Sequence, residues 1–275
     1  MVSGIMVILG ALFAIFIEKK PVQQVIQETM QRSQQSGQQG DYTPPPEEEE
    51  LSAFTRTVLA FTEDVWDRVY PELARQYTDQ GAPARYEKPT LVLFSGMTQT
   101  ACGQEQAGMG PFYCPGDNQV YIDLGFFDEL EKKFDARGDF AQAYVIAPEV
   151  GHHVQNLLGI SRQVQSQRNR ISEAQYNRLS VRQELQADYL AGVWADHTQK
   201  EFKGLQRGDI DEGIRPAMTV GDDTIQRKAT GRVVTEAFSH GSADQRIQWF
   251  TMGLKSGDPT ANDPFQASFE SLYSL

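Results

Sequence analysis

Four side chains on two segments have the types and spacing for metal or acid–base chemistry. Glu149 and His152 stand three apart within Val145–Gln155, and Glu184 and Asp188 stand four apart further on. On a helix, spacings of three and four bring side chains onto one face. The first segment reads like an H-E-x-x-H zinc helix with one place unfilled. In that motif two histidines four apart bind the metal, and the Glu beside the first activates the metal-bound water. Here Glu149 and His152 fill the second and fifth places, and the first holds Pro148, which cannot bind a metal. As a bare pattern E-x-x-H is unspecific, and Glu184…Asp188 is what lifts it. Each residue also has a plainer reading: a solvated helix carboxylate, a charged face, a hydrogen-bonded structural histidine. His153 lies ~100° round the helix from His152, so the two cannot face one metal. His153 and His197 read as non-ligands.

These residues need two helices to hold them. Gly138-Asp139 separates two helices within Phe126–Gly159, with Asp139 a candidate N-cap and Gly159 the stop. Pro148 falls inside the second, where it removes the N–H that would reach residue 144 and kinks the helix or costs about 3 kcal/mol. Ser161–Arg178 is polar and Gln/Arg-rich, a surface helix or an excursion. Ser180-Val181-Arg182-Gln183 fits a capping box opening the helix that carries Glu184 and Asp188. Before them, Leu51–Tyr77 is helical by period, with Leu51, Phe54, Val58, Phe61, Val65, Val69 and Leu73 recurring at three or four. Thr90–Phe94 reads as a strand, Cys102–Cys114 as a Gly-rich loop, and Gln119–Phe126 as a second strand with Val120, Ile122 and Leu124 on one face. After them, Pro216–Phe238 reads as a helix with Ala217, Val220, Ile225, Val233 and Val234 toward the core. Ser239-His240-Gly241-Ser242 is a loop, and Ala243–Gly253 is a last helix.

The chain has 275 residues and a formal net charge of −12. That balance speaks against a nucleic-acid binder, which needs a basic face for phosphates. Met1–Ile17 is nearly all apolar and reads as an uncleaved membrane anchor, with a truncated signal peptide as the alternative. Residues 18–50 are Gln-, then Pro- and Glu-rich and read as a tether. Residues 51–275 are long enough for one well-buried core. Cys102 and Cys114 are the two cysteines. In an oxidising compartment they suit a disulfide, and otherwise two reduced, partly buried thiols.

The chain resembles the bacterial neutral zinc metallopeptidase family of membrane-anchored proteins. The resemblance rests on Thr100-Ala101-Cys102-Gly103, Gly110–Pro115, Val120-Tyr121-Ile122-Asp123, Ile146–Gly159, Glu184–Trp194 and Ser239–Ser242. These spread over roughly Leu51 to Pro259, and together they are specific although singly they are not. The family has His where this chain has Pro148. The resemblance implies an α+β fold: a mainly helical, zincin-like domain with a small β-sheet, preceded by an N-terminal transmembrane helix. It implies Zn2+ as cofactor, with His152 and Glu184 as ligands and Glu149 as the general base of peptide hydrolysis. It places Asp188 behind the site, accepting the second N–H of a ligand histidine. It makes His240 a substrate or oxyanion contact, and sets the strand at Gln119–Phe126 beside the metal helix to pair with extended substrate. The expected partners are a peptide or protein substrate and the membrane. Lys19 and Lys20 favour a cytoplasmic domain by the positive-inside rule. The resemblance and the cysteine pair favour the outside, which is the reading adopted. With Pro148 only two protein ligands remain, so peptidase activity is expected to be strongly reduced. The alternative is a non-catalytic peptide- or protein-binding module on the same fold.

Overall fold

The computed structural model describes residues 46–106, 110–127, 139–202 and 221–265. Helix α1 (Pro46–Ala74) opens the fold. Proline is tolerated in a first helical turn, where its missing N–H would be unpaired anyway, so the helix begins upstream of Leu51, inside the stretch read as tether. Its apolar period turns Val58, Val65, Trp66, Val69 and Leu73 into the core.

Strands follow: β1 (Thr90–Phe94), β2 (Met97–Thr100), β3 (Gly103–Gln106), β4 (Phe112–Cys114) and β5 (Gln119–Asp123). β1, β5 and β4 form a three-stranded sheet in that order, with β5 parallel to β1 and antiparallel to β4. β2 and β3 make a separate antiparallel pair. The segment between the cysteines, expected as loop, thus contains two strands. A disulfide joins Cys102 to Cys114, 12 residues apart, one of the two states open from the sequence. β5 alternates faces as expected, but both faces are buried: Val120 and Ile122 face the main core, while Tyr121 packs with Phe94, Phe112 and Cys114. The expectation that this strand pairs with substrate is also corrected, since both its edges are taken by β1 and β4. Residues 124–127 turn helical instead of extending it.

The helical layer comprises α2 (Asp139–Leu157), α3 (Ile160–Ser166), α4 (Glu173–Phe202), α5 (Asp222–Thr230) and α6 (Ala243–Ser256). α2 runs through Pro148 and ends before Gly159, which adopts a left-handed φ of 84°. α4 starts earlier than expected. The S-x-x-Q pattern occurs twice in this stretch, and the capping pair is Ser172 with Gln175, whose backbone N–H groups each bond the other's side chain. Ser180 lies inside the helix. α5 is shorter than expected, closed by Gly231 at φ 72°. Val233 and Val234 therefore lie beyond it and are 38 % and 51 % exposed, not buried, while Ala217 and Val220 fall outside the described residues. α4 and α6 meet at glycines: a Cβ on Gly192 would strike the Phe250 carbonyl, and one on Gly253 the Tyr189 carbonyl. The core lies between α1, the sheet, α2, α4 and α6. The architecture is mainly helical with a small sheet. Among the described residues no helix is long and apolar enough to cross a membrane, and the expected anchor at 1–17 lies outside them.

Candidate metal centre

α2 and α4 cross where Gly151 faces Ala187. A Cβ added to Gly151 would stand only 2.9 Å from the Ala187 carbonyl oxygen, so a larger residue would hold the helices apart. That close crossing lets His152, the next residue, reach across to α4, where its Nε2 lies 3.5 Å from Glu184 Oε2. On its other side the ring is held by Gln155, with Nδ1 and Oε1 2.9 Å apart. Burial disfavours a charged imidazole, but Glu184, Glu149 and Gln155 outweigh it and raise the His152 pKa to about 10. Burial likewise works against the Glu184 carboxylate. The nearby His152, His240 and Arg246 overcome it and bring its pKa down to about 2.

Glu149 sits one helical turn before His152. Burial, reinforced by the Glu184 charge, pushes its pKa up to about 7 against the pull of His152, Arg246 and a hydrogen bond from the Tyr113 backbone N–H. A carboxyl poised near neutrality is what a general base requires, so Glu149 has suitable chemistry in its own right. β4, the strand that carries Tyr113, is an outer strand of the sheet, which places the site at the sheet's margin.

Asp188 is fully buried, and both its oxygens accept from Arg246 of α6, at 2.8 and 2.9 Å. It was expected to accept from a ligand histidine. Both its oxygens go to Arg246 instead, and Pro148 has no N–H to offer. His240, on the loop before α6, is held at Nδ1 by Asp222 Oδ1 (3.3 Å) and by Ser239 Oγ (3.0 Å). Burial opposes charge on it, while Asp222 and Glu184 outweigh burial and raise its pKa. Asp222 also accepts from the backbone N–H groups of Ser239, His240 and Gly241, which pins the whole loop. His153 points the opposite way from His152: its ring nitrogens meet Tyr113 Oη and the Glu87 carbonyl, and burial lowers its pKa. His197 bonds the Gly257 carbonyl at 2.8 Å. Both rings are thus hydrogen-bonded within the fold. Gln155, Asp222 and Arg246 were missed. A polar residue in an apolar helical stripe was the one available hint for Gln155.

A carboxylate–histidine pair across two helices, with a second carboxyl one turn away, thus sits at the margin of the sheet on a helix-and-sheet scaffold. The chain belongs to the family described as "Putative neutral zinc metallopeptidase", whose model matches residues 1–265. It is similar to uncharacterized protein YpfJ of Escherichia coli strain K12, 46% identical over 233 residues, covering 85% of this chain and 78% of that one. It is also similar to uncharacterized protein Rv2575 of Mycobacterium tuberculosis strain H37Rv, 43% identical over 193 residues, covering 66% of this chain and 64% of that one. No solved structure matches the chain.

The family name implies zinc, and the residues present do not fit a complete protein site for it. His152 and Glu184 are two donors of suitable chemistry, and the residue at the place of the third is Pro148. Among the described residues no three His, Cys, Asp or Glu side chains gather as a metal-ligand group. A catalytic zinc ordinarily takes three protein ligands, one more than this pair supplies.

Proposed function

We propose that this chain is a zinc-metallopeptidase-family protein whose peptide hydrolysis is impaired by Pro148. One observation carries the reading: His152 and Glu184 face each other at 3.5 Å with no third ligand gathered beside them among the described residues. The intended substrate is a peptide or protein, with Glu149 as base and His240 as the group nearest to act on a substrate oxygen. The apolar residues 1–17 anchor the domain to a membrane, and the domain lies on the extracytoplasmic side. The Cys102–Cys114 disulfide supports that side, because such bonds persist in oxidising compartments. A second reading, a non-catalytic peptide-binding module, draws on the pairing of Arg246 with Asp188 and of His152 with Glu184, which satisfies the cleft without a metal.

The test is bound zinc per full-length chain, with hydrolysis of an unfolded protein substrate measured alongside, for the chain as written and for Pro148→His. The expected result is well below one zinc as written and about one in Pro148→His, with hydrolysis appearing only in the variant. Pro148→Ala is the control. It restores the helix N–H without a ligand, so it should raise thermal stability and leave zinc uptake unchanged. About one zinc and full turnover in the chain as written would overturn the reading. Zinc uptake without hydrolysis in Pro148→His would favour the binding module.

A further inference from the structure

We infer that Gln155 is the positioning residue of His152, the last link in a chain of side-chain amides that starts at Asp263 and fixes which imidazole nitrogen faces Glu184. The inference rests on reading His152 as a metal-ligand position. Gln155 is fully buried and lies three residues beyond His152 on the same face of α2. Its Nε2 lies 2.7 Å from the main-chain carbonyl of Gln183 and 3.0 Å from Gln186 Oε1. A carbonyl can only accept, so the Gln155 atom facing Gln183 has to be the amide nitrogen. Its oxygen is thereby turned to His152 Nδ1, at 2.9 Å. An amide oxygen can only accept, so Nδ1 carries a proton.

The next link follows the same logic. Gln186 Nε2 donates to the Asp263 carboxylate at 3.1 Å. The carboxylate accepts, so Gln186 must turn its own oxygen back toward Gln155. Two acceptors, the Gln183 carbonyl and the Asp263 carboxylate, therefore give the network a single direction. That direction arrives at His152 as a requirement for Nδ1–H. Nε2 is then the nitrogen left toward Glu184, and the one with a lone pair to give when the ring is neutral. Met or Leu would fill the same volume at 155 without the cost of burying an amide. The glutamine is accounted for by its partners, since its oxygen and its nitrogen are both engaged. A partner on the second nitrogen is how proteins fix the tautomer of ligand histidines. Here the partner is drawn from the same helix and steadied by α4 and by the segment after α6.

The test uses the full-length chain labelled with 15N-histidine. Four histidines keep the spectrum assignable. His152 Nδ1 should appear protonated, with a slowly exchanging N–H. Gln155→Met should abolish the slow exchange. In the Pro148→His background, titrated with zinc alone, adding Gln155→Met should weaken zinc binding by about 10–100-fold. An unchanged Nδ1–H signal and unchanged zinc affinity in Gln155→Met would overturn the inference. If Pro148→His takes up no zinc, the metal-site reading fails, and the nitrogen spectrum still judges Gln155. If Gln155→Met does not fold, the chain as written decides, because an unprotonated or fast-exchanging Nδ1 there is enough to reject the role.

Discussion

Asp188 owes its state to one residue that lies 58 positions away, Arg246. Its carboxylate has no exposed surface, and burial alone pushes its pKa up. The guanidinium meets it with two parallel hydrogen bonds, the geometry for which Arg is suited. Removing one partner of such a pair leaves a buried charge alone and typically costs about 3–5 kcal/mol. Arg246→Met should therefore lower the urea midpoint strongly, and adding Asp188→Asn should recover part of the loss. If Arg246→Met unfolds at the same midpoint as the parent, the pair does not hold Asp188 charged. The residues legible in the sequence were those spaced about one helical turn apart: Glu149 with His152, Glu184 with Asp188. Arg246 and Asp222 were not legible, because each acquires its role from a group on another element, and Gln155, though within a turn of His152, has its direction set by Gln183 and Gln186 on α4. Nothing local distinguishes Arg246 from a surface arginine.

At the scale of elements, the crossing of α2 and α4 decides whether His152 and Glu184 meet at all. The approach is set by Gly151 against the Ala187 backbone, where an added Cβ would stand 2.9 Å from the carbonyl oxygen. A backbone carbonyl cannot rotate aside as a side chain would. Gly151→Ala should thus push the helices apart, cost about 1–3 kcal/mol, and widen the His152–Glu184 separation. In the Pro148→His background it should also weaken zinc uptake. Loss of thermal stability with unchanged zinc affinity would show that the helices slide rather than part. Helices α1, α2, α4 and α6 could be read from their apolar periods, and their cores from the same residues. Their ends could not always be read. Two S-x-x-Q signals competed for the start of α4, and only packing chose Ser172 over Ser180. Val233 and Val234 looked like a core stripe, but Gly231 had already ended α5.

Across the whole molecule, the disulfide reaches the site through one strand. Cys114 ends β4 and is fully buried, and Tyr113 beside it does two things. Its backbone N–H bonds Glu149, and its hydroxyl meets His153 and Asn156 of α2. The other cysteine, Cys102, belongs to the turn between β2 and β3. The bond therefore clamps the small hairpin to the strand that packs against α2. In the chain-entropy model, closing a loop of about this length contributes about 3 kcal/mol by restricting the unfolded chain. Replacing both cysteines by alanine should lower the stability measured by urea unfolding by about that amount. A purely entropic effect would leave the folded site intact, so the near-ultraviolet signal of the Tyr113 surroundings and the Nδ1–H of His152 would persist below the transition. If β4 instead needs the bond to stay in place, both would weaken in the folded variant. Tyr113 has further anchors that do not involve sulfur: its pairing with Val120 and the bonds to Asn118 and Asn156. With those anchors in place the first outcome is expected, a loss of stability with the site geometry retained.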